Sequence, residues 1–435
     1  MDLRTTLKDL NKQKKWDEIL EHLPAWQKAN EKKNPWVAFY FASALRKSNR
    51  SKEALDILRT AARELPPADK DNDWDNRCRQ KLFGLAAWCI WDISVKNTTE
   101  AGELLEAALR IRATLRACGG ELHESKAPYI TAATKASKAL LQGQGRGMHQ
   151  VVDLLECLNP ELLETDRFQT ESGDELASQR ERWYEQMAKA LHASQQWDRL
   201  IQICDQGLAH SLHHKTQYFI IYRKAQALRQ TGKSEEACAL LSSLVAKRFE
   251  WWVLMELAQT KWDLGNHRAA IRDACIAFVE TKIDSLVAKS LLTISEWILQ
   301  QGRPKLGDVV APFVELVWVE NGWPIKDALR SRLGALHVSN ESDVKDPNIL
   351  ARNIIQELWK VLDEFDPPLT GIVKRFLPNG KAMFLGVEGR GDVYARVHGR
   401  KQPRIGDRVS FRLFSSYDRK RDEITDAAIH INVLL

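Results

Sequence analysis

The chain has 435 residues, of which 44% are hydrophobic and 28% charged, a balance that fits a folded protein of two or three domains and excludes disorder throughout. The N-terminal stretch MDLRTTLKDLNKQKKW lacks the apolar core of a secretory signal, and no later segment approaches the roughly 18–20 uninterrupted apolar residues of a membrane span, so the expected location is the cytoplasm, with no membrane partner. Residues 369–435 carry 13 basic against 7 acidic side chains while residues 1–368 carry 51 of each, so the whole net charge of +6 belongs to the C-terminal segment, the footprint expected of a module that meets a polyanion.

From residue 1 to about 338 apolar residues recur at three and four spacing with short polar breaks, the pattern of consecutive amphipathic helices. SKEALDILRTAAREL (51–65) is typical, with Ala54, Leu58, Ala61 and Leu65 along one face. Four helical hairpins align on their turns. Ala42 and Leu45 precede Asn49, followed by Ala54, Leu58, Ala61 and a closing Pro66. Ala225 and Leu228 precede Gly232, followed by Ala237, Leu241 and Leu244. Ala258 precedes Gly265, followed by Ala270, Ala274 and Ala277, with Lys261 in the large apolar position. Ala188 and Leu191 precede Gln195, followed by Trp197, Leu200 and Cys204. The turns at 195, 232, 265 and 302 are separated by 37, 33 and 37 residues.

This pattern resembles the tetratricopeptide family, a repeat of roughly 34 residues built as helix-turn-helix with small residues where the helices cross. No unit carries the full consensus, and residues 67–180 fit poorly. The resemblance implies an α-solenoid over residues 1–338 whose groove holds a protein partner. Trp88, Trp91, Trp251, Trp252 and Trp262 lie within the helical patterns and are expected between stacked helices, the alternative being a lining for that groove.

Chemistry-bearing motifs are scarce in this part. The seven cysteines (78, 89, 118, 157, 204, 238 and 275) are odd in number and contain no CxxC, which argues for free, buried thiols rather than disulfides or zinc. His210, His213 and His214 cluster without a carboxylate or cysteine at ligand spacing and read as a solvated loop rather than a metal site. QGQGRGM (142–148) follows a helix and lacks the GKS or GKT ending of a phosphate loop, so it reads as a helix connection. With no HExxH, GxSxG or nucleotide loop, the expectation is a non-enzymatic protein that uses no cofactor and no metal.

SNESDVKDPN (339–348) is a polar break with Asp346 and Pro347 as a helix start, after which Leu350, Ile354, Leu358 and Leu362 share one face. Residues 339–368 thus read as a helix covering the last apolar surface, ended by the prolines of DPP (366–368). Beyond them the period falls to two. TGIVKRF, KAMFLGV, GDVYARV, DRVSFRLF and EITDAAIHIN read as five short strands, enough for a small OB-type β-barrel over 369–435.

The order of these strands resembles the cold-shock domain. Gly371, Val373, Lys374 and Phe376 fit its opening motif. Phe384 and Leu385 fit the end of its first RNA-binding strand, Asp392, Val393 and Tyr394 the start of the second, and Gly406, Val409 and Phe411 a later strand. Arg375, Ala382 and Arg396 stand where the family has tryptophan, an aromatic residue and histidine. The resemblance implies contact with single-stranded RNA or DNA, RNA in the first place, through the aromatic residues Phe376, Phe384 and Tyr394 and the basic residues Lys374, Arg375, Lys381 and Arg396. Arg419, Lys420 and Arg421 add candidate loop contacts, with a solvated turn as the simpler reading. The function expected is an adaptor in RNA metabolism or bacterial anti-phage defence, and the rival is a protein-binding scaffold whose barrel has lost its nucleic acid.

Overall fold

A computed structural model describes residues 2–29, 34–65, 73–117, 127–143, 147–336, 346–378, 380–396, 403–418 and 421–434. The chain is mostly helical, with a five-stranded mixed sheet at its C-terminal end. It forms two compact units, Met1–Arg223 and Lys224–Leu435. The division falls inside the helical stretch that the repeat reading treats as continuous, and the terminal sheet belongs to the same unit as the helices that precede it. Among the described residues no helix is long and apolar enough to cross a membrane.

The first unit contains α1 (Leu3–Lys12), α2 (Trp16–Glu21), α3 (Leu23–Lys28), α4 (Pro35–Lys47), α5 (Ser51–Arg63), α6 (Asp73–Ser94), α7 (Ala101–Arg116), α8 (Ala127–Gln142) and α9 (Met148–Glu156). A hairpin of β1 (Phe168–Gln169) and β2 (Glu175–Leu176) follows, then α10 (Gln179–Ala193), α11 (Trp197–Leu208) and the start of α12 (His214–Gln230). From α4 to α11 each helix packs against the next. Glu181 ties the hairpin to the helices: it completes a capping box with Ser178, takes the Arg167 guanidinium at 2.9 Å and accepts the His213 amide at 2.5 Å. Burial pushes the Glu181 carboxyl up, but these partners hold it below its ordinary value. Within the histidine segment only His213 departs from a solvated loop: it is 9% exposed with its amide spent on a buried carboxylate, whereas His210 is half-buried and His214, which opens α12, is exposed.

The turns aligned in the sequence share one geometry, and the turns at Lys14 and Gly322 share it too. Lys14, Asn49, Gln195, Gly232, Gly265, Gly302 and Gly322 have φ between 58° and 80°, and in each case the next residue's amide bonds the carbonyl five residues back, as Arg50 does to Leu45 at 2.8 Å and Lys233 to Leu228 at 2.8 Å. That is the Schellman closure, which satisfies orphan carbonyls at a helix end and needs a left-handed residue, hence glycine or asparagine at most of these turns. The aligned small residues Ala42, Ala188, Ala225 and Ala258 are fully buried. Lys261, out of place among apolar residues, pairs with the buried Asp273 at 2.5 Å. Trp88, Trp91, Trp251, Trp252 and Trp262 are half-buried.

The second unit continues with α13 (Ser234–Lys247), α14 (Trp251–Asp263), α15 (His267–Val279), α16 (Ala288–Gln300), α17 (Lys305–Glu320), α18 (Asp327–Leu336) and α19 (Pro347–Phe365). Asp346 caps α19 by accepting the Asn348 amide at 2.8 Å, and Leu350, Ile354, Leu358 and Leu362 are buried where α19 packs on α15 and α17. Pro367 and Pro368 then separate α19 from the sheet strands β3 (Leu369–Phe376), β4 (Ala382–Gly386), β5 (Val393–Arg396), β6 (Arg408–Asp418) and β7 (Glu423–Val433). In this mixed sheet β3 pairs with β4 and β6, β5 with β4 and β7, and β6 with β7, antiparallel except between β5 and β7. Val373, Met383, Leu385, Val393, Ala395, Val409, Phe411 and Ala428 form its core.

The sheet docks on the helices through β6 and β7. Arg412, 3% exposed, donates to Asp363 and to the Asp366 carbonyl (2.9 Å) with its guanidinium 5.5 Å from the Trp359 ring centre. Arg272 of α15 bonds the Asp366 carboxylate at 3.0 Å and the Leu413 carbonyl. On β7, His430 presents Nε2 2.6 Å from Glu280 and packs edge-on against Trp359. Phe414 meets Phe249, just beyond α13, and Tyr417 lies under Lys247, the last residue of α13.

Candidate nucleic-acid interface

The candidate residues sit on β3, β4 and β5 or, for Lys381, just before β4, and none is on the two docking strands. Strict alternation along β3 starting from the inward Val373 sends Lys374 out, Arg375 in and Phe376 out. A bulge between Val373 and Arg375 breaks this order. Lys374 and Arg375 are both exposed, and Phe376 turns in to pack against the core. The bulge keeps a guanidinium out of an apolar interior, where an unpaired charge is costly. Phe376 is thus partly buried, with its ring packed against the core.

Arg375, Phe384 and Tyr394 are cross-strand partners in one row over three strands. The Arg375 guanidinium lies 4.6 Å from the Phe384 ring centre. The Phe384 and Tyr394 rings meet 6.1 Å apart at 72°, edge to face, and both remain partly exposed. Next to Tyr394, the parallel pairing sets Ala427, so the rings end against a small residue. Arg396 is exposed opposite Ala382, and Lys381 is exposed just before β4.

Lys374 is only partly available. Its Nζ lies 2.6 Å from the Asp392 carboxylate, and its stem crosses Gly386 so closely that a Cβ there would stand 2.3 Å from Lys374 Cε. Asp392 and Gly386 were thus missing from the site as read from sequence. The adjacent charges Lys374–Arg375 inside an alternating strand were the available signal for the bulge. Arg419 and Lys420 lie outside the described residues, whereas Arg421 faces Glu423 at 3.4 Å.

An exposed arginine stacked on a ring, a second ring beside it and flanking cations can sandwich an unpaired base and neutralise its phosphate. No protein-family model and no curated protein sequence matches the chain.

Proposed function

We propose that the protein is a non-enzymatic adaptor whose terminal module contacts single-stranded nucleic acid, RNA first, through Arg375, Phe384 and Tyr394, while its helical part holds a protein partner. The observation that carries the reading is the exposed Arg375–Phe384–Tyr394 row on strands other than the two that dock on the helices. The ring of strand pairings with its non-sequential order supports an OB- or cold-shock-like barrel, and the recurring Schellman turn supports a tetratricopeptide-like stack. Two weak sites on one chain raise the effective concentration of one ligand near the other. RNA metabolism and anti-phage defence both suit such a recruiter.

The test is fluorescence anisotropy of short labelled single-stranded RNA and DNA with the full chain over a salt series. Binding that weakens with salt and is lost in Phe384→Ala plus Tyr394→Ala, with circular dichroism unchanged, supports the reading. Absence of binding at low salt sinks it and favours the scaffold, a rival helped by the pairing of Lys374 with Asp392 and by the inward turn of Phe376.

A further inference from the structure

The unit Met1–Arg223 carries a half-open cavity of about 710 Å³ that plays no part in the nucleic-acid reading. Helix α10 sends Arg182, Glu185, Lys189 and His192 into it at three- and four-residue spacing, one face of the helix. Lys138 from α8 and Arg223 from α12 join them. Four cations therefore meet one carboxylate, and Glu185 already pairs with Lys189 at 2.5 Å. Among the described residues Lys138, Arg182 and Arg223 make no ion pair and no side-chain hydrogen bond, and the buried Nε of Arg223 has no protein acceptor. Gln186 donates to the Thr134 carbonyl at 3.3 Å, which leaves its buried Oε1 without a protein donor.

Buried donors and acceptors normally find partners, and here an unmatched guanidinium donor and an unmatched amide acceptor line the same cavity. His192 adds no charge at neutral pH, since burial and the neighbouring Arg223 push it down to about 4. Leu141, Met148 and Leu176 supply apolar wall, the last from the β1–β2 hairpin that Glu181 anchors. The volume falls within the roughly 300–1,000 Å³ of small-molecule pockets. Guanidiniums match the forked oxygens of phosphate, and a dianionic head neutralises clustered cations better than a single carboxylate.

We infer that this cavity binds a phosphorylated small organic molecule of about mononucleotide size. Its phosphate sits on Arg182, Arg223 and Lys138, its organic body lies against Leu141, Met148 and Leu176, and a hydroxyl or amino group donates to Gln186.

Isothermal titration calorimetry on the full chain tests this with adenosine monophosphate, ribose phosphate, adenosine, inorganic phosphate and an acidic peptide. The expected result is binding of adenosine monophosphate about tenfold or more tighter than adenosine or inorganic phosphate. The exposed pair Lys138→Gln with Arg182→Gln should lose about tenfold or more of that affinity with its thermal midpoint unchanged, and Arg223→Lys should lose affinity while keeping the charge. Comparison of the nucleotide with ribose phosphate names the source of the phosphate. Phe384→Ala plus Tyr394→Ala should leave this binding intact, which separates its failure from failure of the nucleic-acid reading. The proposal is overturned if no phosphate compound binds, if inorganic phosphate binds as tightly as the nucleotide, if only the acidic peptide binds, if the cation variants bind normally, or if the terminal-module variant abolishes binding.

Discussion

Two arginines of the terminal module stand over aromatic rings, and their surroundings give them opposite tasks. Arg412 on β6 is buried over Trp359 with Asp363 and Asp366 as partners, so its charge and donors are satisfied within the chain. Arg375 on β3 is exposed over Phe384, and among the described residues no carboxylate lies at ion-pair distance from it. The same side-chain pair thus serves as an internal clamp on one side of the sheet and as a surface offered to a ligand on the other. Burial and carboxylate supply decide which.

The largest expected effect breaks the clamp. Arg412→Ala should cost roughly 2–4 kcal/mol in urea unfolding, since it removes charge-assisted hydrogen bonds from a buried site, while Arg375→Ala should stay within about 0.5 kcal/mol. Equal costs for the two would erase the distinction. On the open side, Phe384→Ala should weaken single-stranded RNA binding by about 2 kcal/mol in anisotropy titrations, with little change in stability. A large loss of stability with unchanged affinity would instead make Phe384 structural.

A third arginine sharpens the rule. Arg167 pairs with Glu181 in the first unit, and Glu181→Gln should cost roughly 1–2 kcal/mol at neutral pH by thermal or urea unfolding. Because the folded carboxyl lies below its ordinary value, its stabilisation is fully present above the unfolded value of about 4.3 and is lost as pH falls through the folded one. The wild type should therefore lose more stability than Glu181→Gln on acidification below that point, and parallel pH curves would contradict the assignment. The smallest effect concerns Lys374: Asp392→Asn should release it and tighten RNA binding by about 0.5 kcal/mol at low salt, a gain that vanishes at high salt. Weaker binding in this variant would mean that Asp392 itself faces the ligand.

Much of the local structure was legible in the residues. The five strands fall where alternation placed them, the prolines at 367 and 368 end α19, and Asn49, Gln195, Gly232, Gly265 and Gly302 all close helices in left-handed turns. These features depend on neighbours a few residues away, so a linear pattern records them. The inward packing of Phe376 escapes a linear pattern because alternation assumes an unbroken ladder, and the bulge before it depends on how β3 meets β4. His213 was misread because the carboxylate that takes its amide lies 32 residues earlier.

What the sequence by itself determined was the succession of amphipathic helices, the switch to period two after residue 368, and the confinement of the positive excess to the last segment. Only the tertiary structure decided which arginine is buried, which ring faces outward and which cations gather around one cavity. Those outcomes turn on desolvation and pairing between residues far apart in the chain, where the same side chain is satisfied or left open according to what the fold sets beside it.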